Sequence, residues 1–233
     1  KILVTGSSGT IGTRLCEKLL EAGHEVIGAD WEPCKWNEEV ENLRIDIDLR
    51  HKEEFGKLPT DVDLIIHLAA NARVYELVEH PDRAMDNFID TFNILEHARK
   101  NSIKRMMFAS SRETYGNIHL PEGEAYTEDK AHFMTCESPY TASKIGGEAL
   151  FEAYKRCYNI DTIIFRFSNV YGMYDDSVRV VPLFYRQAKA NEPMKVFGKD
   201  KCLDFTYIDD CVDGIILSID NFESAKNDTY NLA

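Results

Sequence analysis

Short apolar runs alternate with helical patterns along most of the chain, the rhythm of a parallel sheet covered on both faces. Ile2–Val4 leads into a glycine-rich loop and a helix over about Thr10–Glu21. Glu25–Ala29 and Leu43–Ile47 read as the second and third strands, and Asp63–His67 as a fourth, followed by a long helix ending near Lys100. Arg105–Ala109 is a fifth strand; a loop rich in Glu, Pro and Thr separates it from a helix over Pro139–Tyr158 and a strand over Thr162–Phe167. From Tyr171 the rhythm changes. A helix near Val181–Ala190, short strands at Met194–Phe197 and Phe205–Ile208, and a helix near Asp209–Ser218 follow. The pattern predicts an α/β fold, a doubly wound parallel sheet with a small, intermittently contributed second lobe. Residues 1–172 and 204–222 are assigned to the sheet domain, and 173–203 with 223–233 to the start of the lobe.

Composition narrows the class. In 233 residues, 44% are hydrophobic, enough for a buried core, and the net charge is −13. Such a field repels nucleic acid, and no basic run offsets it. A phosphate-bearing ligand must then be held by a local device. The six cysteines, Cys16, Cys34, Cys136, Cys157, Cys202 and Cys211, are scattered without zinc spacing, which fits thiols in a reducing cytosol and no metal site. No apolar run has the length of a membrane span, and nothing reads as a signal peptide. A soluble, cytoplasmic protein with no membrane or nucleic-acid partner is expected.

Val4-Thr5-Gly6-Ser7-Ser8-Gly9-Thr10-Ile11-Gly12 supplies that device. Its three glycines stand where the first strand turns into the first helix, so a pyrophosphate can approach the amides and the positive end of the helix. Asp30 closes the second strand about twenty residues on, where a carboxylate accepts hydrogen bonds from a ribose diol and repels a 2′-phosphate. Trp31-Glu32-Pro33 offers no guanidinium in its place, so NAD is favoured over NADP. Trp31 and Trp36 fall at the adenine end, to pack there or to cover the core. Tyr140 and Lys144 lie one helical turn apart, and a nearby cation lowers the pKa of a phenol so that it can act as a general base on an alcohol. Ser110-Ser111 close the fifth strand at the carboxyl edge of the sheet, where ligands sit in such folds.

With these motifs the chain resembles, from Lys1 to Ala233, the extended short-chain dehydrogenase/reductase family of nucleotide-sugar epimerases and dehydratases, and among them the UDP-sugar 4-epimerases most. The likeness rests on the Thr5-to-Gly12 loop, Asp46-Ile47, His67-Leu68-Ala69-Ala70, Asp86-Asn87 with Asn93-Ile94-Leu95-Glu96, Ser110-Ser111 ahead of Tyr115-Gly116, and Ser138-Pro139-Tyr140 with Lys144. Arg166-Phe167-Ser168-Asn169-Val170-Tyr171-Gly172 and Phe205-Thr206-Tyr207-Ile208-Asp209-Asp210 complete it. The resemblance implies a Rossmann fold and an NAD site made of Gly6, Gly9, Thr10, Ile11, Gly12, Asp30, Asp46, Ile47, Leu68, Ala69, Ala70, Asn87, Tyr140, Lys144 and Phe167. It implies oxidation of the sugar's C4 hydroxyl with Tyr140 as base, Lys144 on the ribose and Ser111 on the oxygen. Asn169 and Arg179 fall where substrate contacts are expected, and Phe197 matches an aromatic that stacks on the base in uridine-nucleotide enzymes, with core packing as an equal alternative. A UDP-hexose or UDP-uronate is then the favoured substrate, and a homodimer through the helices holding Asn87 and Tyr140 is implied, with Phe88, Phe92, Phe151 and Tyr154 available to that face or to the core.

Three stretches depart from the family pattern. Arg112-Glu113 stands where plain 4-epimerases carry small residues. Glu113 at that position resembles the base of 4,6-dehydratases and uronate decarboxylases, Arg112 has the fork to bind a C6 carboxylate, and the two together can simply form an ion pair bracing the loop. Leu203 replaces a usual arginine before Asp204-Phe205, for which Lys199 or Lys201 could substitute. The chain stops at Tyr230–Ala233, where members of the family continue, so a partly truncated substrate lobe is expected. His67 is read as structural, Asp209 and Asp210 as helix caps, and Glu122–Asp129 as a solvated loop.

Overall fold

The computed structural model describes residues 1–117, 124–131, 133–198 and 203–233. Lys199, Lys201, Cys202 and the start of the Glu122–Asp129 run lie outside them. In chain order the elements are β1 (Ile2–Thr5), α1 (Thr10–Glu21), β2 (Val26–Asp30), α2 (Glu38–Asn42), β3 (Arg44–Asp46), β4 (Leu64–His67), α3 (Val74–Glu79) and α4 (Asp82–Lys100). Then follow β5 (Arg105–Ser111), α5 (Pro139–Tyr158), β6 (Asp161–Phe167), β7 (Asn169–Tyr171), α6 (Val180–Ala190), β8 (Phe205–Tyr207), α7 (Ile208–Asp220), α8 (Phe222–Ala225) and β9 (Asp228–Leu232).

Seven strands form one sheet in the order β3-β2-β1-β4-β5-β6-β9, every pair parallel. Both faces are covered, which is why the strands read as unbroken apolar runs: all four residues of β1 and of β4 are buried. One face carries Leu15, Leu19, Val212 and Ile215 from α1 and α7; the other carries Ile94, Leu95, Phe151 and Tyr154 from α4 and α5. The strand order reverses between β1 and β4, and the crevice outside their carboxyl ends is where a ligand binds in an open sheet of this kind.

Helix ends follow local chemistry. Ser138 caps α5 by accepting from Thr141 N at 3.1 Å, Pro139 fits the first turn, and Asn159 closes the helix in the left-handed region at φ 52°. By contrast, α1 starts on Gly9 without a side-chain cap. Asp209 does not cap α7; Tyr207 holds that position, and the Asp209 carboxylate instead pairs with Arg14 of α1 at 2.6 Å.

Two expectations give way here. Residues 192–198 form no strand, so Met194–Phe197 is irregular; an apolar alternation becomes a strand only with a partner to take its hydrogen bonds. β7 and β8 instead pair with each other as a separate two-stranded ribbon. Asp228–Leu232, assigned to the lobe, is the seventh strand of the main sheet, in register with Ile163–Phe167. Phe151 and Tyr154 are buried in the core, whereas Phe88 and Phe92 of α4 stay partly exposed.

Phe151 stacks on Phe108 with ring centroids 4.8 Å apart, between α5 and the sheet. Phe151→Ala is expected to cost about 3–5 kcal/mol in chemical denaturation, through lost burial and the cavity left behind.

Candidate active site

A cavity of about 950 Å³ opens at the carboxyl edge of the sheet, across the point where the strand order reverses. At one end it is lined by backbone. Gly6 has φ +73°, and a Cβ there would stand 2.7 Å from Ala69 N. A Cβ on Gly12 would stand 2.0 Å from the Gly6 carbonyl oxygen, so the turn into α1 closes only with glycine at both places. Gly9, Thr10, Ile11, Leu68, Ala69 and Ala70 complete that wall. Asp30, at the tip of β2, accepts from Ser8 N and Glu32 N, both at 3.0 Å, so its carboxylate is fixed against the glycine loop. Burial pushes its pKa up against those two bonds.

Asp46 does not reach the cavity. It is exposed and pairs with Arg44 at 3.2 Å, while Ile47 lines the wall together with Asp48, Leu49 and Arg50. The Asp-apolar pair facing the ligand space is therefore Asp48-Leu49, two residues beyond the expected one. β3 ends at Asp46 and the chain only then turns across the carboxyl edge. Asp48 is held by Arg50, whose guanidinium also covers the Trp31 ring at 4.5 Å. Trp31 and Trp36 both line this end. Tyr174, at φ +66°, packs on Trp36 with centroids 5.8 Å apart, and its carbonyl accepts from Thr10 Oγ1 at 3.1 Å.

Asn87 also stands behind the wall. Its Oδ1 accepts from Asn71 N at 2.6 Å, and its Nδ2 donates to Asn71 O at 3.0 Å and to Ser143 Oγ at 3.2 Å. It therefore braces the loop after β4 against α5, and Asn71 is the residue that meets the cavity. His67 belongs to the same bracing. Ala69 N donates to Thr5 Oγ1 at 3.3 Å, Thr5 to His67 Nδ1 at 2.7 Å, His67 Nε2 to Thr91 Oγ1 at 3.2 Å, and Thr91 to Asn87 O at 2.8 Å. Only the Nε2–H tautomer satisfies this order of donors, an assignment made from the bonding pattern. Burial, with Lys144's positive charge second, lowers the imidazole to about 3, so it stays neutral.

At the other end the cavity gathers the candidate catalytic residues named from the sequence. Ser111, at the end of β5, accepts from Glu113 N at 3.2 Å, and its hydroxyl acts on the Tyr140 phenol from across the cavity wall. Tyr140 and Lys144 are buried on the first turns of α5. Lys144 Nζ donates to Ala109 O at 2.7 Å and lies 5.8 Å from the centroid of the Tyr140 ring. Burial lowers the lysine to about 8, against the pull of Glu148 and Asp90. Burial likewise raises the phenol above its ordinary value, opposed by the Ser111 hydroxyl and by the charge of Arg179. Arg112, Asn169, Arg179 and Phe167 line the same space. Arg112 reaches Glu113 at 3.1 Å, so the bracing ion pair is formed. Phe197 stays outside the cavity, 74% exposed, with the Lys195 ammonium 4.7 Å over its ring. The irregular 192–198 segment gives that ring no platform to hold it over the site.

Asp90 escaped the sequence reading. It lies in the cavity wall, three residues after Asn87 on α4, and burial pushes its carboxyl up to about 7. Its Oδ1 and the Ser8 hydroxyl in the same wall have no hydrogen-bond partner among the described residues. A glycine cradle and a carboxylate on the strand after it, at one end of a cavity of this size, fit a dinucleotide. Its position one turn beyond Asn87 is the signal that could have marked Asp90, since i, i+3 residues share a helix face.

Comparison with known proteins agrees with this geometry. The model of the NAD dependent epimerase/dehydratase family matches residues 2–233. A putative UDP-glucose 4-epimerase of Methanocaldococcus jannaschii is 33% identical over 239 residues, covering 99% of this chain and 76% of that protein. A UDP-glucuronate 4-epimerase of Thermodesulfobacterium geofontis is 31% identical over 234 residues, covering 93% and 71%. The crystal structure of UDP-glucose 4-epimerase from Thermotoga maritima with UDP-glucose superposes with a TM-score of 0.87 at 29% identity, covering 99% of this chain and 76% of that one. The chain, with its glycine cradle, its Tyr140–Lys144 helix and its seven-stranded parallel sheet, belongs to the NAD-dependent epimerase/dehydratase family.

Proposed function

We propose that this protein is an NAD-dependent nucleotide-sugar 4-epimerase acting on a UDP-hexose or UDP-uronate through a transient 4-keto sugar. The observation that carries the reading is the meeting of Ser111, Tyr140 and Lys144 in one cavity with the glycine cradle. NAD, when bound along Gly6–Gly12 and Asp30, supplies reversible hydride acceptance. The chain's own residues do the rest. Ser111 of β5 and Tyr140 of α5 line one wall of the cavity, the two hydroxyls that would flank the alcohol oxygen of the substrate. Tyr140 takes the alcohol proton as general base and gives it back on return. Lys144 gives one N–H to Ala109 O and lines the cavity 5.8 Å from the centre of the Tyr140 ring, where an ammonium favours a phenolate. Arg179 supplies a second positive charge toward the same phenol, and with Asn169 it forms the sugar-nucleotide end of the cavity.

The substrate side is less polar in purpose than its charges suggest. With Arg112 committed to Glu113, the bracing role competes directly with capture of a C6 carboxylate. Glu113 in the cavity wall favours one second reading, a C4-oxidising decarboxylase or 4,6-dehydratase with that carboxylate as base; the family name itself covers dehydratases. A homodimer remains our reading for the assembly, supported by Met85, Phe88 and Phe92 left exposed along α4.

The intact protein incubated with NAD and, separately, UDP-glucose, UDP-N-acetylglucosamine and UDP-glucuronate tests this through product mass and chromatographic retention. A new peak of unchanged mass is expected; loss of water or carbon dioxide would put Glu113 in the chemistry. Tyr140→Phe should lower kcat by about 10²–10⁴, the usual worth of a positioned general base. Gly12→Ala should weaken NAD by about tenfold or more in calorimetric titration, as its Cβ meets backbone that cannot yield. Arg112→Leu should leave the ratio of kcat/KM for UDP-glucuronate and UDP-glucose unchanged if the arginine only braces; a selective loss of the uronate would assign it to the carboxylate.

A further inference from the structure

Behind the reacting groups lies a buried ion pair that the chemistry above does not use. Arg166 of β6 grips Glu148 of α5 with Nη2 on Oε2 at 2.7 Å and Nε on Oε1 at 2.9 Å, a two-pronged contact. Arg166 is 6% exposed, in the sheet position paired with Ser110. Ser110, next in chain to Ser111, donates to the same Oε1 at 2.5 Å. Arg166 Nη1 donates onward to the Tyr115 hydroxyl at 3.0 Å and to Glu128 O at 2.7 Å. Tyr115 OH donates to Asn231 Oδ1 at 2.6 Å, and Asn231 Nδ2 to Tyr126 O at 3.0 Å. One guanidinium therefore links α5, β5, β6, β9, the turn carrying Arg112 and Glu113, and the 126–128 segment.

Taking two charges out of water costs several kcal/mol each, and well-packed apolar pairs replace buried ion pairs at little or no loss of stability. Stability alone gives no reason for this pair. Its placement does. Glu148 lies four residues after Lys144, one helical turn away on the same face, and its charge acts on the ammonium. We propose that the Arg166–Glu148 pair is a positioning device for the reaction centre: it fixes the Ser110-Ser111 strand end and holds a carboxylate one helical turn from Lys144. The proposal rests on reading Ser111, Tyr140 and Lys144 as the reacting groups.

The charged and titratable groups around Lys144 are Glu148 on its own helix with the Arg166 guanidinium of β6 bound to it, Asp90 on α4, neutral His67 on β4 and the Tyr140 phenol. Removing the Glu148 charge leaves Asp90 as the carboxylate holding the proton against burial, so Lys144 deprotonates at lower pH. The test follows NAD affinity by calorimetry from pH 6 to 10 and, in parallel, turnover of the nucleotide sugar. In wild type, affinity should fall as pH rises through the lysine's range. In Glu148→Gln that fall should move down by about half a pH unit or more, with kcat reduced about tenfold and KM for the sugar little changed. Glu148→Asp should restore part of both effects. Ser110→Ala keeps the ion pair and should lower kcat without moving the pH profile, which separates the two roles even if Glu148→Gln folds poorly. A Glu148→Gln profile superimposable on wild type, or KM and kcat falling together in Ser110→Ala, would overturn the proposal. If wild type turns over no nucleotide sugar, the proposed reaction fails, whereas the NAD profile still decides the role of Glu148.

Discussion

The Lys144 ammonium is buried, and everything around the site follows from how that burial is tolerated. An ammonium in an apolar interior costs several kcal/mol unless it is hydrogen-bonded and faced by opposite charge. Here the bond goes to Ala109 O, a carbonyl near the end of β5, and the charges come from Glu148 and Asp90. To make that bond α5 must dock its first turns on the carboxyl edge of β5. That docking in turn sets Tyr140 against Ser111, and it is secured below by Phe151 stacked on Phe108. The apolar packing of α5 and the polarity of the site are two parts of one constraint.

The opposite end of the cavity solves a different problem. A chain of net charge −13 has to hold a phosphate-bearing cofactor, and it does so with backbone geometry. Gly6 and Gly12 allow the turn, α1 begins without a side-chain cap, and the carboxylate of Asp30 locks the loop through Ser8 N. Behind both ends runs the chain of donors from Ala69 through Thr5, His67 and Thr91 to Asn87. It joins β1, β4 and α4 through a histidine that burial keeps neutral in the middle of the fold.

Much of this was legible beforehand, for physical reasons. Strands buried on both faces are unbroken apolar runs, so β1, β4, β5 and β6 stood out, as did α5 between a serine-proline start and an asparagine end. That Ser111, Tyr140 and Lys144 would meet in one cavity could be anticipated because each has a fixed place relative to an element end. What failed lacked such an anchor. Asp46 and Asp48 are equivalent in sequence, and only the length of β3 decides which faces the ligand. Asn87 has the right position but spends its amide on Asn71 and Ser143. β9 carries Asp, Thr, Tyr and Asn at the sheet edge, a pattern too polar to announce a strand of the main sheet.

The central claim is that Tyr140 and Ser111 open C4 of a nucleotide sugar and that the same hydride comes back to that carbon. UDP-glucose carrying deuterium at C4 measures this directly. The account predicts a product of unchanged mass, epimerised at C4, with deuterium retained there. Deuterium found at C6 with loss of water, or a product of the corresponding uronate that has lost carbon dioxide, would contradict it.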